Sequence, residues 1–152
     1  MSTKPILITI PGNPVTKKNS QQIAKRMDGS RFILPSSQYR QYELYAKSHI
    51  LKYYADIHTI EQPVNLRCLY YKKTRNPCDL VNLLEATCDI LVRSGILKDD
   101  NCNIVVSHDG SRVLYDKDRP RTEIYIESVK DSERIFSFPS GEQGGTPPVK
   151  SG

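Results

Sequence analysis

No apolar run in the sequence approaches the roughly 20 residues that a membrane helix needs, which excludes a helical span. No long apolar segment precedes a small-residue cleavage site at the N-terminus, so a secretion signal is not expected. Cysteine is scarce: Cys68, Cys78, Cys88 and Cys102 form no C-x-x-C pair, and no nearby histidines complete a zinc pattern. They read as reduced thiols of an intracellular protein rather than as a disulfide framework. No internal repeat is present.

What remains is a chain of 152 residues, enough for one domain with a real core. Charged residues are 26% and the hydrophobic set 38%, as in a globular protein. The net charge of +5 is unevenly placed. Residues 1–40 hold seven basic side chains (Lys4, Lys17, Lys18, Lys25, Arg26, Arg31, Arg40) against the single acid Asp28. The segment from Arg67 to Arg75 adds four basic residues and no acid. Such flanks attract a polyanion; read plainly, they are a solvated face.

Between and beyond these flanks, Asp79 to Asn101 stands apart. It holds five acids (Asp79, Glu85, Asp89, Asp99, Asp100), opposed only by Arg93 and Lys98. Leu80, Leu83, Leu84, Leu91 and Val92 recur at helical spacing, with Asp79 as N-cap and Gly95 as the stop. On that helix Asn82, Glu85 and Asp89 fall within roughly 60° of one another. An acidic turn, Asp99-Asp100-Asn101, follows. Carboxylates brought together repel unless protonated or bridged by a cation, and Mg²⁺ prefers oxygen ligands of this kind. The five acids are therefore expected to converge on one point. Singly, each has an ordinary reading: Asp79 as a cap, Glu85 and Asp89 as surface carboxylates, Asp99 and Asp100 as turn formers. His108, beside Asp109-Gly110, reads as a turn residue.

In chain order, the pattern predicts a strand over Lys4–Ile10, ended by Pro11-Gly12-Asn13-Pro14. A polar, basic loop follows. Ile23–Arg26 and Arg31–Leu34 flank Asp28-Gly29 as a hairpin. A helix from Ser36 or Ser37 to about Ala55 carries an apolar stripe of Tyr39, Tyr42, Tyr45, Ala46, Ile50 and Tyr53. Those tyrosines suit a core, or stacking on bases. Strands are expected at Val64–Lys73, Ile104–Ser107, Arg112–Tyr115 and Thr122–Ile126. The order predicts an α/β fold: a small mixed sheet with two main helices in a single domain, residues 1–128. Residues 129–152, rich in glycine, proline and serine, read as a flexible tail. Ile135, Phe136 and Phe138 in it are candidates to dock on the domain or a partner.

Asp79-Leu80-Val81-Asn82-Leu83, then Asp89, Gly95 and Asp99-Asp100, resemble the RusA family of Holliday-junction resolvases. Ile10-Pro11-Gly12-Asn13-Pro14 with Lys17-Lys18-Asn19 is similar to that family's N-terminal loop. Gly110-Ser111-Arg112-Val113, Tyr115-Asp116-Lys117 and Pro120-Arg121 look like the downstream part of its phage or prophage branch. The resemblance spans residues 5–127. It implies a small α/β homodimer that cuts four-way DNA junctions with Mg²⁺, Mn²⁺ substituting. Its metal-binding aspartates fall on Asp79, on position 81 and on Asp100, with Asp99 beside it. Position 81 here is Val81, which has no ligand atom, and a lysine often found at position 85 is Glu85.

The resulting expectation is a metal-dependent, structure-selective endonuclease. Asp79, Asp99, Asp100 and Glu85 carry catalysis, and the same four with Asp89 hold the metal. Lys17, Lys18, Asn19, Lys72, Lys73, Arg75 and Arg112 bind the DNA backbone. Backbone contacts carry no base information, so junction shape dominates selection, and a two-fold dimer suits opposed strands. The location implied is the cytoplasm of a bacterial host. The rivals are a branched-DNA-binding module weakened by loss of the aspartate at position 81, and an adaptor working through its tail.

Overall fold

Alternation along one strand sets up the whole architecture. In β4 (Val64–Lys72) every second residue, Val64, Leu66, Cys68, Tyr70 and Lys72, is buried, and the residues between are half-buried. A strand places successive side chains on opposite faces, so β4 has one core face and one open face. The computed structural model describes residues 4–17, 22–34 and 37–129. Around β4 it places β1 (Ile6–Pro11), the hairpin β2 (Gln22–Lys25) and β3 (Arg31–Leu34), and α1 (Ser37–Tyr53). After β4 come α2 (Leu80–Arg93), β5 (Val105–Ser107), β6 (Arg112–Tyr115) and β7 (Arg121–Ser128).

The main sheet is five-stranded and mixed, in the order β1-β7-β4-β5, with β6 also pairing β4. β7 lies antiparallel between β1 and β4. β5 pairs the start of β4 and β6 its end, both in parallel. This is the α/β fold expected from the sequence, a small mixed sheet with two helices. Its core joins Ile8, Ile10, Leu66, Cys68, Tyr70, Ile124 and Ile126 of the sheet to Ala46 and Ile50 of α1 and to Leu83, Ile90 and Leu91 of α2. Each such fully buried aliphatic contributes about 1.5–3 kcal/mol.

Hydroxyl bonds fix the helices on the sheet. The Tyr70 hydroxyl lies 2.6 Å from Thr87 Oγ1, which donates back to the Leu83 carbonyl. Tyr42 on α1 reaches Thr122 on β7 at 3.3 Å. The open face carries stacked pairs set by register. Arg67 faces Tyr125 across the β4–β7 pair and lies 4.0 Å over its ring; Arg121 faces Tyr71 and lies 3.8 Å over it.

The hairpin forms as the Asp28-Gly29 pair predicts: Gly29 takes φ +89°, where only glycine is unstrained, and Asp28 accepts from Ser30 N–H and Oγ. The tyrosine stripe of α1 is narrower than expected. Tyr39, Ala46 and Ile50 are buried, but Tyr45 and Tyr53 are 46% and 59% exposed. Tyr45 is turned about 100° from Ala46, and Tyr53 is the last residue of the helix. All four cysteines are free thiols. Lys18, Asn19, and Ile135, Phe136 and Phe138 of the expected tail lie outside the described residues.

Candidate active site

Three strands deliver their carboxyl ends to one end of the sheet. β1 and β4 are both antiparallel to β7 and hence run the same way, and β6 is parallel to β4. The loops that leave them are tied together there. Gly12 N–H donates to the Pro120 carbonyl (2.9 Å), Lys73 N–H to Asn13 Oδ1 (2.7 Å), and Asp116 N–H to the Lys72 carbonyl (2.9 Å). Loops beyond carboxyl strand ends are where open α/β sheets place ligands. From this end the chain enters α2 through Asp79.

Asp79 occupies the N-cap position with extended backbone (φ −87°, ψ 120°), as expected, but its carboxylate does not cap the helix. Its Oδ2 accepts instead from the Asn82 side-chain amide at 3.2 Å. Val81, the second residue of the helix, is 72% exposed and takes no part in the core. Glu85 is exposed on the same helix. After α2, Gly95 takes φ +78° and turns the chain back, and the Ile96 and Leu97 N–H groups both bond the Leu91 carbonyl. This return carries Asp99 and Asp100 back alongside α2. Burial pushes the Cys88 thiol up to about 12, and the carboxylates of Asp100 and then Asp89 add to the effect, so both act on one point of the helix.

The acids do not all gather. Asp89 is paired with the Lys17 ammonium, which arrives on the loop after β1 and lies 5.8 Å from the Tyr39 ring centroid. Asp99 ties its own turn: Oδ1 accepts from Asp100 N–H at 2.7 Å and Oδ2 from the Asn101 amide at 2.9 Å. Those bonds, the backbone one first, hold its carboxyl below the usual range. Among the described residues no three His, Cys, Asp or Glu side chains form a ready metal cluster. The expected convergence of five acids on one point is therefore not formed, because Lys17 engages Asp89 and Asp99 engages its own turn. The donor chemistry still suits Mg²⁺. That ion keeps several waters and needs only one or two carboxylates besides substrate phosphate, and Asp79 and Asp100 are both exposed.

The expected phosphate binders fall into three environments. Lys73, Arg75 and Arg112 are exposed, with Arg75 stacked 4.0 Å over Tyr115. Lys17 is half-buried in its ion pair. Lys72 is buried. Around them stands a network that sequence patterning did not single out: Arg121 pairs with Glu123 at 2.7 Å and Asp116 at 2.9 Å. His108 is a turn residue, as read, with Nδ1 3.0 Å from the Leu66 carbonyl.

The model of the endodeoxyribonuclease RusA family matches residues 11–127. The chain belongs to the RusA family. The match takes in every site residue discussed above, from Lys17 to Arg121. RusA proteins are endodeoxyribonucleases of the Holliday-junction resolvase type, so the chain is a nuclease-family member by descent. No curated protein matches it. No helix among the described residues is long and apolar enough to cross a membrane. Within this RusA chain, Asn13, Thr16 and Asn76 are residues that spacing did not reveal. They meet Lys72 only because the loops after β1 and β4 close over one another.

Proposed function

We propose that the chain is a Mg²⁺-dependent, structure-selective endonuclease that nicks opposed strands of four-way DNA junctions in recombination and repair. It would act as a homodimer in the cytoplasm of a bacterial host. The observation that carries the reading is the RusA match over residues 11–127, which takes in the exposed Asp79 and, just before it in the chain, the exposed Lys73 and Arg75. Asp79 and Asp100 would hold the ion, with Asp99 positioning the turn and Glu85 standing in for the ligand that Val81 lacks. Bound there, Mg²⁺ or Mn²⁺ supplies Lewis acidity at a phosphate oxygen and a more acidic water.

The chain's own groups do the rest. Lys73, Arg75 and Arg112 hold the backbone of the duplex arms, by charge and without reading bases. The Asn82 amide orients Asp79 through its 3.2 Å bond. Lys17 keeps Asp89 neutralised, so that this carboxylate does not repel the phosphates.

A second reading is favoured by Val81, an exposed aliphatic side chain where the family resemblance places a ligand. It makes the chain a branched-DNA binder with weakened catalysis. A synthetic four-way junction and a plain duplex, each with Mg²⁺ or EDTA, separate the two. The nuclease reading expects divalent-dependent nicks in the junction. Gel shifts without product in any metal would establish the binder instead.

A further inference from the structure

The last position on the core face of β4 is a lysine. Lys72 continues the buried row Val64, Leu66, Cys68 and Tyr70, and is only 9% exposed. Its ammonium donates to the Asn76 carbonyl at 2.8 Å. Among the described residues no carboxylate lies within ion-pair distance of it. A buried charge without a counter-charge is unfavourable, so the position suits an anion from outside the chain.

A second observation falls in the same place. Thr16, on the loop after β1, is 3% exposed, and its hydroxyl has no hydrogen-bond partner. Such orphans are rare among buried side chains. Both residues line one cavity of about 260 Å³ beside the entry to α2, walled also by Asn13, Gln38, Asn76 and Leu83. Among the described residues no carboxylate lines it. The volume is below that of pockets for whole cofactors and suits a single charged group. The N-terminus of α2 at its rim, not capped by a side chain, adds a favourable field for an anion.

We propose that this pocket binds one backbone phosphate of the nucleic-acid substrate, held by the Lys72 ammonium and the Thr16 hydroxyl. Its place next to Asp79 makes it a subsite that fixes the strand relative to the carboxylates. The inference rests on the nucleic-acid reading above.

The test is an NMR titration of the full chain with thymidylyl-thymidine, whose only anion is one phosphodiester, and in parallel with inorganic phosphate. The dinucleotide should give saturable shifts at the Thr16, Lys72 and Asn76 amides. Thr16→Val, which keeps shape and removes the hydroxyl, should weaken it about tenfold. Lys72→Met should abolish the shifts. Unmoved amides with the dinucleotide, even if inorganic phosphate moves them, would overturn the proposal, as would wild-type affinity in Thr16→Val. Junction nicking by the same sample is read separately. Cutting without pocket shifts sinks the pocket alone, and pocket shifts without cutting sink the nuclease reading alone.

Discussion

The two sides of α2 obey opposite rules. Its inner side, Leu83, Ala86, Thr87, Ile90 and Leu91, is buried against the sheet. Its outer side carries Val81 and Glu85 in solvent, Asp89 in an ion pair, and Asp79 at its head. The inner stripe fixes where the helix lies and how it is oriented. The outer residues are thereby presented without being needed for folding. The fold accepts an aliphatic side chain at Val81 and a carboxylate at Glu85 because neither enters the core. The helix is thus held in place by one side and leaves the other facing outward.

The largest effect should come from the inner side. Leu91 is fully buried, and Leu91→Ala should cost about 2–5 kcal/mol, visible as a lower melting temperature with DNA cutting lost in parallel. A loss under about 1 kcal/mol would mean that the inner stripe does not hold the helix.

Glu85→Gln tests the outer side. If Glu85 replaces the missing ligand, cutting should fall by about 10- to 100-fold with melting unchanged. Full activity would leave Asp79, Asp89, Asp99 and Asp100 as the candidates. Val81→Asp should shift stability by no more than about 0.5 kcal/mol, as an exposed change does, and should restore part of the cutting in the Glu85→Gln background. Clear destabilisation would break the division between the two sides.

The smallest effects concern the cations. Arg75→Ala should reduce the salt slope of junction binding by about one unit. Lys17→Ala should reduce it by less, since that ammonium already faces Asp89. Equal slopes would show that Lys17 leaves Asp89 for phosphate when DNA binds.

Much of the fold was legible because its signals are local. Alternation marked β4 and β7 to within a residue or two, Asp28-Gly29 marked the hairpin, and Gly95 marked the end of α2. The α1 stripe was over-read because period alone does not show how wide a stripe is covered: Tyr45 lies to one side of it and Tyr53 ends the helix. The acids were found by composition, but their grouping was not. The Lys17–Asp89 pair joins positions 72 residues apart, and no spacing rule reports it. The same holds for the Lys72 and Thr16 pocket. A lysine on the buried parity of a strand was its one sequence signal, hidden because Lys72 also reads as the tail of a basic run.

The most direct measurement is of binding and nicking together on a four-way junction, for wild type, Asp79→Asn and Asp100→Asn in Mg²⁺. These substitutions keep size and remove charge from exposed positions. The account predicts junction affinity near wild type for both and cutting lower by about 100-fold or more, roughly 2.7 kcal/mol in the barrier. Wild-type cutting by either variant would contradict it, because that aspartate would then not hold the metal.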